Sequence, residues 1–232
     1  MDATGKGDAM QVQRKRHVRR VFVLLACIAA VLVLALLFLP RYQQPSTQRP
    51  PDRYAGAIEQ LCSAADADGD GTDDQTDILQ GALAYVGTYP KYESRYYAGG
   101  YPDDGYGVCT DVVAFALRDA GYDLRQLVSD DIAAHPTDYD VSAPDHNIDF
   151  RRVRNLLVYF HHTATALTTD VSQVDQWQGG DIVVFNEHIG IVSDRRNADG
   201  VPYVIHHIGP WQRAYEEDIL QKRTDIVAHF RV

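Results

Sequence analysis

Positive charge is in short supply: 22 Lys and Arg stand against 32 Asp and Glu, a net charge of −10. That balance argues against a nucleic-acid partner, because holding phosphates requires a basic face. Cysteine is also scarce, with three in 232 residues, so a disulfide scaffold is excluded and the fold must rest on an apolar core. No segment repeats at a fixed period, which excludes solenoids and propellers. Disorder is excluded by composition, since 45% of the residues are hydrophobic and 23% charged. The length admits one good-sized domain or two small ones.

Long apolar runs are missing too, with one exception. Residues 21–39 (VFVLLACIAAVLVLALLFL) hold nineteen residues without a charge. As a helix they would span roughly 28 Å, close to the ~30 Å hydrocarbon core of a bilayer. Six of the Lys and Arg lie in residues 1–20, five of them between Arg14 and Arg20, while Arg41 alone follows closely. The positive-inside bias puts residues 1–20 in the cytoplasm and everything after Pro40 outside. A cleaved signal peptide would want a shorter run ending in a small-x-small site. A lipidation site at Leu24-Leu25-Ala26-Cys27 would leave only six apolar residues after Arg20. The run therefore reads as an uncleaved signal-anchor and the protein as a single-pass membrane protein. Residues 40–52 contain four Pro and read as a semi-extended tether, with an extracytoplasmic domain over 53–232.

Outside the membrane span, Cys62 and Cys109 would meet an oxidising compartment, where two cysteines can pair. Their contexts differ, however. Cys62 ends an amphipathic stretch from Tyr54 and reads as a buried helix residue. Cys109 stands between a Gly-rich loop (residues 96–108) and a helix that runs from it to Gly121, where reactive thiols are found.

Residues 66–77 read DADGDGTDDQTD. Asp66, Asp68, Asp70, Asp74 and Asp77, with the Thr72 carbonyl, occupy alternate positions around a Gly turn, as a six- or seven-coordinate hard cation needs. Helical patterns over 54–64 and 76–86 flank the loop. The spacing resembles the calcium loops of dockerin modules and predicts a structural calcium; a solvated acidic turn is the alternative. No cofactor is needed for the chemistry itself.

At a helix start, free N–H groups and the helix dipole favour thiolate over thiol and can hold an oxyanion. A thiolate in acyl transfer also needs an imidazole. His188 opens the strand 189–192 after the strand 182–185, and a third strand, 203–205, ends in His206-His207. A meander of this kind sets His188 and one of His206/His207 on neighbouring strands, against which the Cys109 helix can pack. The residues alone leave three readings open: a catalytic site, a zinc site of Cys109, His188 and His206, and ordinary core histidines.

The order Y-x-G-G, G-x-x-C-x-D, G-D-I-V-V-F, H-I-G-I-V and V-I-H resembles the NlpC/p60 cysteine peptidase superfamily, a papain-like fold. More closely, G-V-C-T-D-V, D-H-N-I-D-F-R-R-V, H-I-G-I-V-S-D, I-H-H-I-G and A-H-F-R resemble the bacterial family known as domain of unknown function 1287, over roughly residues 76–232. The resemblance implies an α+β fold in which the helix carrying the cysteine packs on an antiparallel sheet. It also implies Cys109 as nucleophile, His188 as general base, His206 as the residue that orients it and Tyr97 near the oxyanion. The superfamily's common D-C-S-G is V-C-T-D here, which sets the charge of Asp111 beside the thiol. Arg151 and Arg152 have two readings, a polar turn capping a helix or a substrate groove facing a carboxylate. The function implied is hydrolysis of an amide bond in peptidoglycan peptides. A calcium-braced scaffold and a papain-like acyltransferase are the alternatives.

Overall fold

The computed structural model describes residue 17, residues 19–34 and residues 44–232. It divides into two compact units, residues 1–42 and 43–232. In the first, residues 19–34 form helix α1, with Phe22, Leu24, Val31 and Leu32 exposed along it. No described helix is long and apolar enough to cross a membrane, and residues 35–39 of the expected span lie outside the described residues.

The second unit is α+β. Its helices are α2 (Asp74–Gly87), α3 (Cys109–Asp119), α4 (Leu124–Ala134) and α5 (Val153–Thr163). A short parallel pair, β1 (Lys91–Tyr92) and β2 (Tyr106–Gly107), precedes α3. The main sheet holds β3 (Thr165–Ala166), β4 (Ile182–Phe185), β5 (His188–Arg196), β6 (Pro202–Ile205), β7 (Glu216–Glu217) and β8 (Ile226–Arg231). Their order is β3-β8-β4-β5-β6-β7, and every neighbouring pair is antiparallel.

α3 packs on this sheet because its apolar positions recur at helical spacing. Val112, Val113, Ala116 and Leu117 share one core with Ile78 and Ala82 of α2 and with Ile182, Val184, Ile189, Ile191 and Ile205. The opposite sheet face buries Val183, Val192 and Val204 against Trp177. β4 and β5 are thus covered on both sides, which is why they read as unbroken apolar runs.

Two local expectations are corrected. Residues 54–64 are not helical, and Cys62 is exposed rather than buried. So short an amphipathic stretch has little helical stability of its own, and its backbone is held by the body instead: Leu61 N–H donates to Gln178 Oε1 (3.2 Å) and Ser63 N–H to Asp73 Oδ1 (2.8 Å). The expected tether is also shorter. From Ser46 the chain lies against the domain, with Ser46 N–H on the Arg213 carbonyl (2.8 Å) and Arg53 N–H on that of Arg196 (2.9 Å). Arg49 bridges Asp194 and Glu216.

The Gln178-Gly179-Gly180-Asp181 turn ties α2 to the sheet. Gly180 has φ +92°, and a Cβ there would lie 2.3 Å from the Gln75 carbonyl oxygen. Asp181 beside it is fully buried and accepts from Gln178 N (2.8 Å), Gln75 Nε2 (2.9 Å) and Arg231 Nε (2.7 Å), with His229 Nε2 at 2.8 Å. Gly180→Ala should cost about 2–4 kcal/mol, since backbone strain adds to a clash with backbone. Urea unfolding of the variant measures it, and a loss under ~1 kcal/mol would show that the turn relaxes freely.

Candidate functional site

Cys109 is the first residue of α3. Val108 before it is extended, and its N–H donates to Asp111 Oδ2 (2.7 Å), so Asp111 closes the helix start by reaching back. Arg151 neutralises this carboxylate: Nε and Nη2 donate to Asp111 at 2.6 and 2.9 Å, with both side chains buried. The charge that the sequence sets beside the thiol is therefore already matched from within.

His188 follows a two-residue β4–β5 turn, opposite Phe185 in register, and its ring stacks on Phe185 at 5.8 Å. Its Nε2 lies 2.9 Å from Nδ1 of His206, which leaves the end of β6. Gly190 makes room for this contact, because a Cβ there would come within 3.1 Å of His206 Cβ and 2.7 Å of Val204 Cγ1. His206 Nε2 in turn lies 3.3 Å from Glu217 Oε2. His207 turns away, with its ring edge-on to Tyr92 at 5.1 Å and its Nδ1 3.1 Å from Gln212 Oε1.

Cys109 and His188 line one open cleft of about 530 Å³, together with Tyr92, Asn186, Glu187 and Ile208. Arg223 and Asp225 complete its wall as an ion pair (Nε–Oδ1 2.9 Å), the guanidinium standing over Phe185 at 4.3 Å. Burial pushes the Cys109 thiol up to about 11, although backbone N–H groups of Ile189 and Thr110 at the sulfur pull the other way. Burial, then His206 and Arg223, push His188 down to about 2. The resting pair is accordingly neutral thiol and neutral imidazole, whereas the helix start alone predicts a thiolate. The dipole's stabilisation is smaller than the loss of water around the sulfur.

Cys62 and Cys109 are both free thiols, which makes Cys62 an internal reference. Iodoacetamide at pH 7 should label the exposed Cys62 at least ~10-fold faster than Cys109, because only thiolate reacts. Peptide mapping by mass spectrometry reads the ratio; equal rates would mean that the cleft thiol is ionised.

Tyr97 does not line this cleft. Its hydroxyl donates to Asp104 (2.7 Å) and its ring lies 5.1 Å from the Arg151 guanidinium. The aromatic beside the thiol is Tyr92, which stands in a two-residue strand and carries no motif to mark it. Arg151 does face a carboxylate, but the internal one of Asp111. Arg152 is half-exposed, 3.8 Å from Asp149. The neighbouring Asp145-His146-Asn147 turn binds Arg125 through Asn147 Oδ1 (3.0 Å) and His146 Nε2 (2.9 Å). Arg223 and Asp225 in the cleft wall and Glu217 beside His206 are residues that sequence reasoning missed, because they meet the site only through the strand order. Of the expected cation ligands, Asp66, Asp68 and Asp70 come together on the loop, with carboxylate oxygens within 4.8 Å of one another. Asp74 is engaged elsewhere, accepting from Ala67 N–H (2.8 Å) and the Tyr122 hydroxyl.

A relative of similar sequence is an uncharacterized protein, YijF, of Escherichia coli (strain K12). It is 39% identical over 167 residues, which cover 66% of this chain and 80% of the relative. No solved structure matches the chain. The family model described as "Domain of unknown function (DUF1287)" matches residues 79–232, from α2 to the C-terminal strand and thus the whole Cys109–His188–His206 arrangement. The chain belongs to that family.

Proposed function

We propose that the protein is a membrane-anchored extracytoplasmic cysteine hydrolase of NlpC/p60-like, papain type, which cleaves an amide bond in cell-wall peptidoglycan peptides. The observation that carries the reading is the shared cleft: Cys109 at a helix start and His188 on the sheet line it together, and His206 stands behind the imidazole. The apolar run over 21–39 with its basic flank supports the anchor, and the exterior location supports a wall substrate.

The contacts behind His188 favour one set of tautomers. Glu217 Oε2, 3.3 Å from His206 Nε2, favours the ring proton on that nitrogen, which leaves Nδ1 of His206 as an acceptor for the Nε2–H of His188. Nδ1 of His188 then keeps its lone pair for the thiol proton. As sulfur attacks the carbonyl carbon, that proton moves to Nδ1 and backbone N–H groups at the start of α3 hold the oxyanion. The proton passes to the leaving amine, and water then releases the acyl group from Cys109.

The free thiols favour this reading over a scaffold in which Cys62 and Cys109 are joined. The test is to mix the full-length chain with purified wall fragments and weigh the products. New amine and carboxylate ends that Cys109→Ala fails to produce support the proposal; identical product spectra from both proteins overturn it for that substrate.

A further inference from the structure

The acidic loop ahead of α2 brings three carboxylates together on one turn. Gly69 and Gly71 hold φ of +76° and +96° there, a conformation open to glycine. The turn folds Asp66, Asp68 and Asp70 onto one another, their carboxylate oxygens within 4.8 Å. Backbone N–H groups fix each of them: Gly69 and Gly71 donate to Asp66 (2.8 and 3.0 Å), Asp70 to Asp68 (3.0 Å) and Thr72 to Asp70 (2.7 Å). A carboxylate has about four lone-pair sites, so acceptor capacity is left over on all three.

Asp77 is the independent observation. It is only 7% exposed, and its Oδ2 is buried without a hydrogen-bond partner. The carboxylates of Asp70, Asp68 and Asp66 on the loop, and that of Asp119, lie within its electrostatic reach. A buried, unpaired carboxylate oxygen is costly unless a cation or a donor meets it. The other two carboxylates of the segment have different work. Asp73 caps α2 through Thr76 N–H (3.3 Å), and Asp74 is bound by Ala67 N–H and the Tyr122 hydroxyl.

We propose that residues 66–77 form a calcium site whose ligands are Asp66, Asp68, Asp70, the Thr72 carbonyl and both oxygens of Asp77. The donors are all hard oxygens, with a glycine turn at the sixth position and a bidentate carboxylate at the twelfth. Relative to the ligand set expected from spacing, Asp74 drops out because its oxygens are taken. Magnesium is a poor occupant, since its near-ideal octahedron suits neither a bidentate carboxylate nor a flexible loop. The ion would clamp the loop against the end of α3, where a Cβ on Gly121 would lie 3.0 Å from Asp68 Cβ. It thereby braces the helix that presents Cys109, and the proposal holds whether or not that thiol is a nucleophile.

The test is thermal unfolding of the EDTA-treated full-length chain in detergent, with calcium or magnesium added back. Calcium at ~100 times its Kd should raise Tm by about 5–10 °C, and magnesium at the same concentration should not. Asp77→Asn should lose this shift while its metal-free Tm stays level or rises, because the unpaired buried charge is gone. Asp68→Asn lies on the surface, and the calcium needed for half its shift should rise at least tenfold. The proposal is overturned by a Tm indifferent to calcium up to ~10 mM, by an equal shift from magnesium, or by a full shift retained in both variants.

Discussion

Cys109→Ala is expected to lower kcat/KM on wall peptide fragments by at least ~10³-fold, with Tm unchanged within ~2 °C. Removing a nucleophile leaves only binding and oxyanion stabilisation, a small remnant of the full rate. The fold should tolerate the change because Cys109 sits at the helix start beside the cleft, and Asp111, not the thiol, holds that start together. His188→Ala should cost about as much, and the double variant little more, since the two act as one unit. His206→Ala should be milder, ~10–100-fold, because it orients the base without touching substrate. A pH profile checks the electrostatics. With His188 held down to about 2 and the thiol up to about 11, the imidazole is neutral and the sulfur protonated throughout the neutral range. So kcat/KM should run flat from about pH 5 to 8, without the acid limb near 6.5 that a solvated histidine would give. Full activity in Cys109→Ala would remove the hydrolase reading, and a limb near 6.5 would show that His188 is in contact with water.

Where local pattern decides structure, the sequence was readable. The run Ile182–Phe185 is a strand with those bounds, and helical spacing from Cys109 to the Gly121 stop is α3. The His188–His206 contact followed from a meander, because strands joined by short turns pair as neighbours. What pairing between distant segments decides was not readable. β8 enters the sheet between β3 and β4, so Arg223 and Asp225 reach the cleft from the far end of the chain. Tyr97 and Tyr92 look alike in sequence, and only the short β1–β2 pairing puts the second beside the thiol. Residues 54–64 carry an amphipathic pattern, yet the Gln178 side chain, over a hundred residues away, holds the backbone at Glu59 and Leu61 instead. Asp111 shows the same limit for charge: its partner lies forty residues on, and no spacing rule points to it.

That partner sets the second large effect. Arg151→Met is expected to destabilise the protein by about 3–5 kcal/mol, the cost of leaving a buried carboxylate unmatched. The guanidinium is spent entirely inside the protein: two nitrogens on Asp111 at 2.6 and 2.9 Å, and Nη1 on the Arg95 carbonyl at 2.5 Å. Methionine replaces its volume but none of its donors. Asp111→Asn combined with Arg151→Met should recover most of the loss, because the amide oxygen can still accept the Val108 N–H and no charge stays buried. Urea unfolding of the three proteins at pH 7 decides it. A single variant within ~1 kcal/mol of the native chain at pH 7 would mean that water reaches Asp111. A double variant no better than the single would mean that the arginine acts through packing against Tyr97 rather than through charge. Since Asp111 also fixes the start of α3, the loss in stability should be accompanied by a loss of activity larger than the unfolded fraction explains.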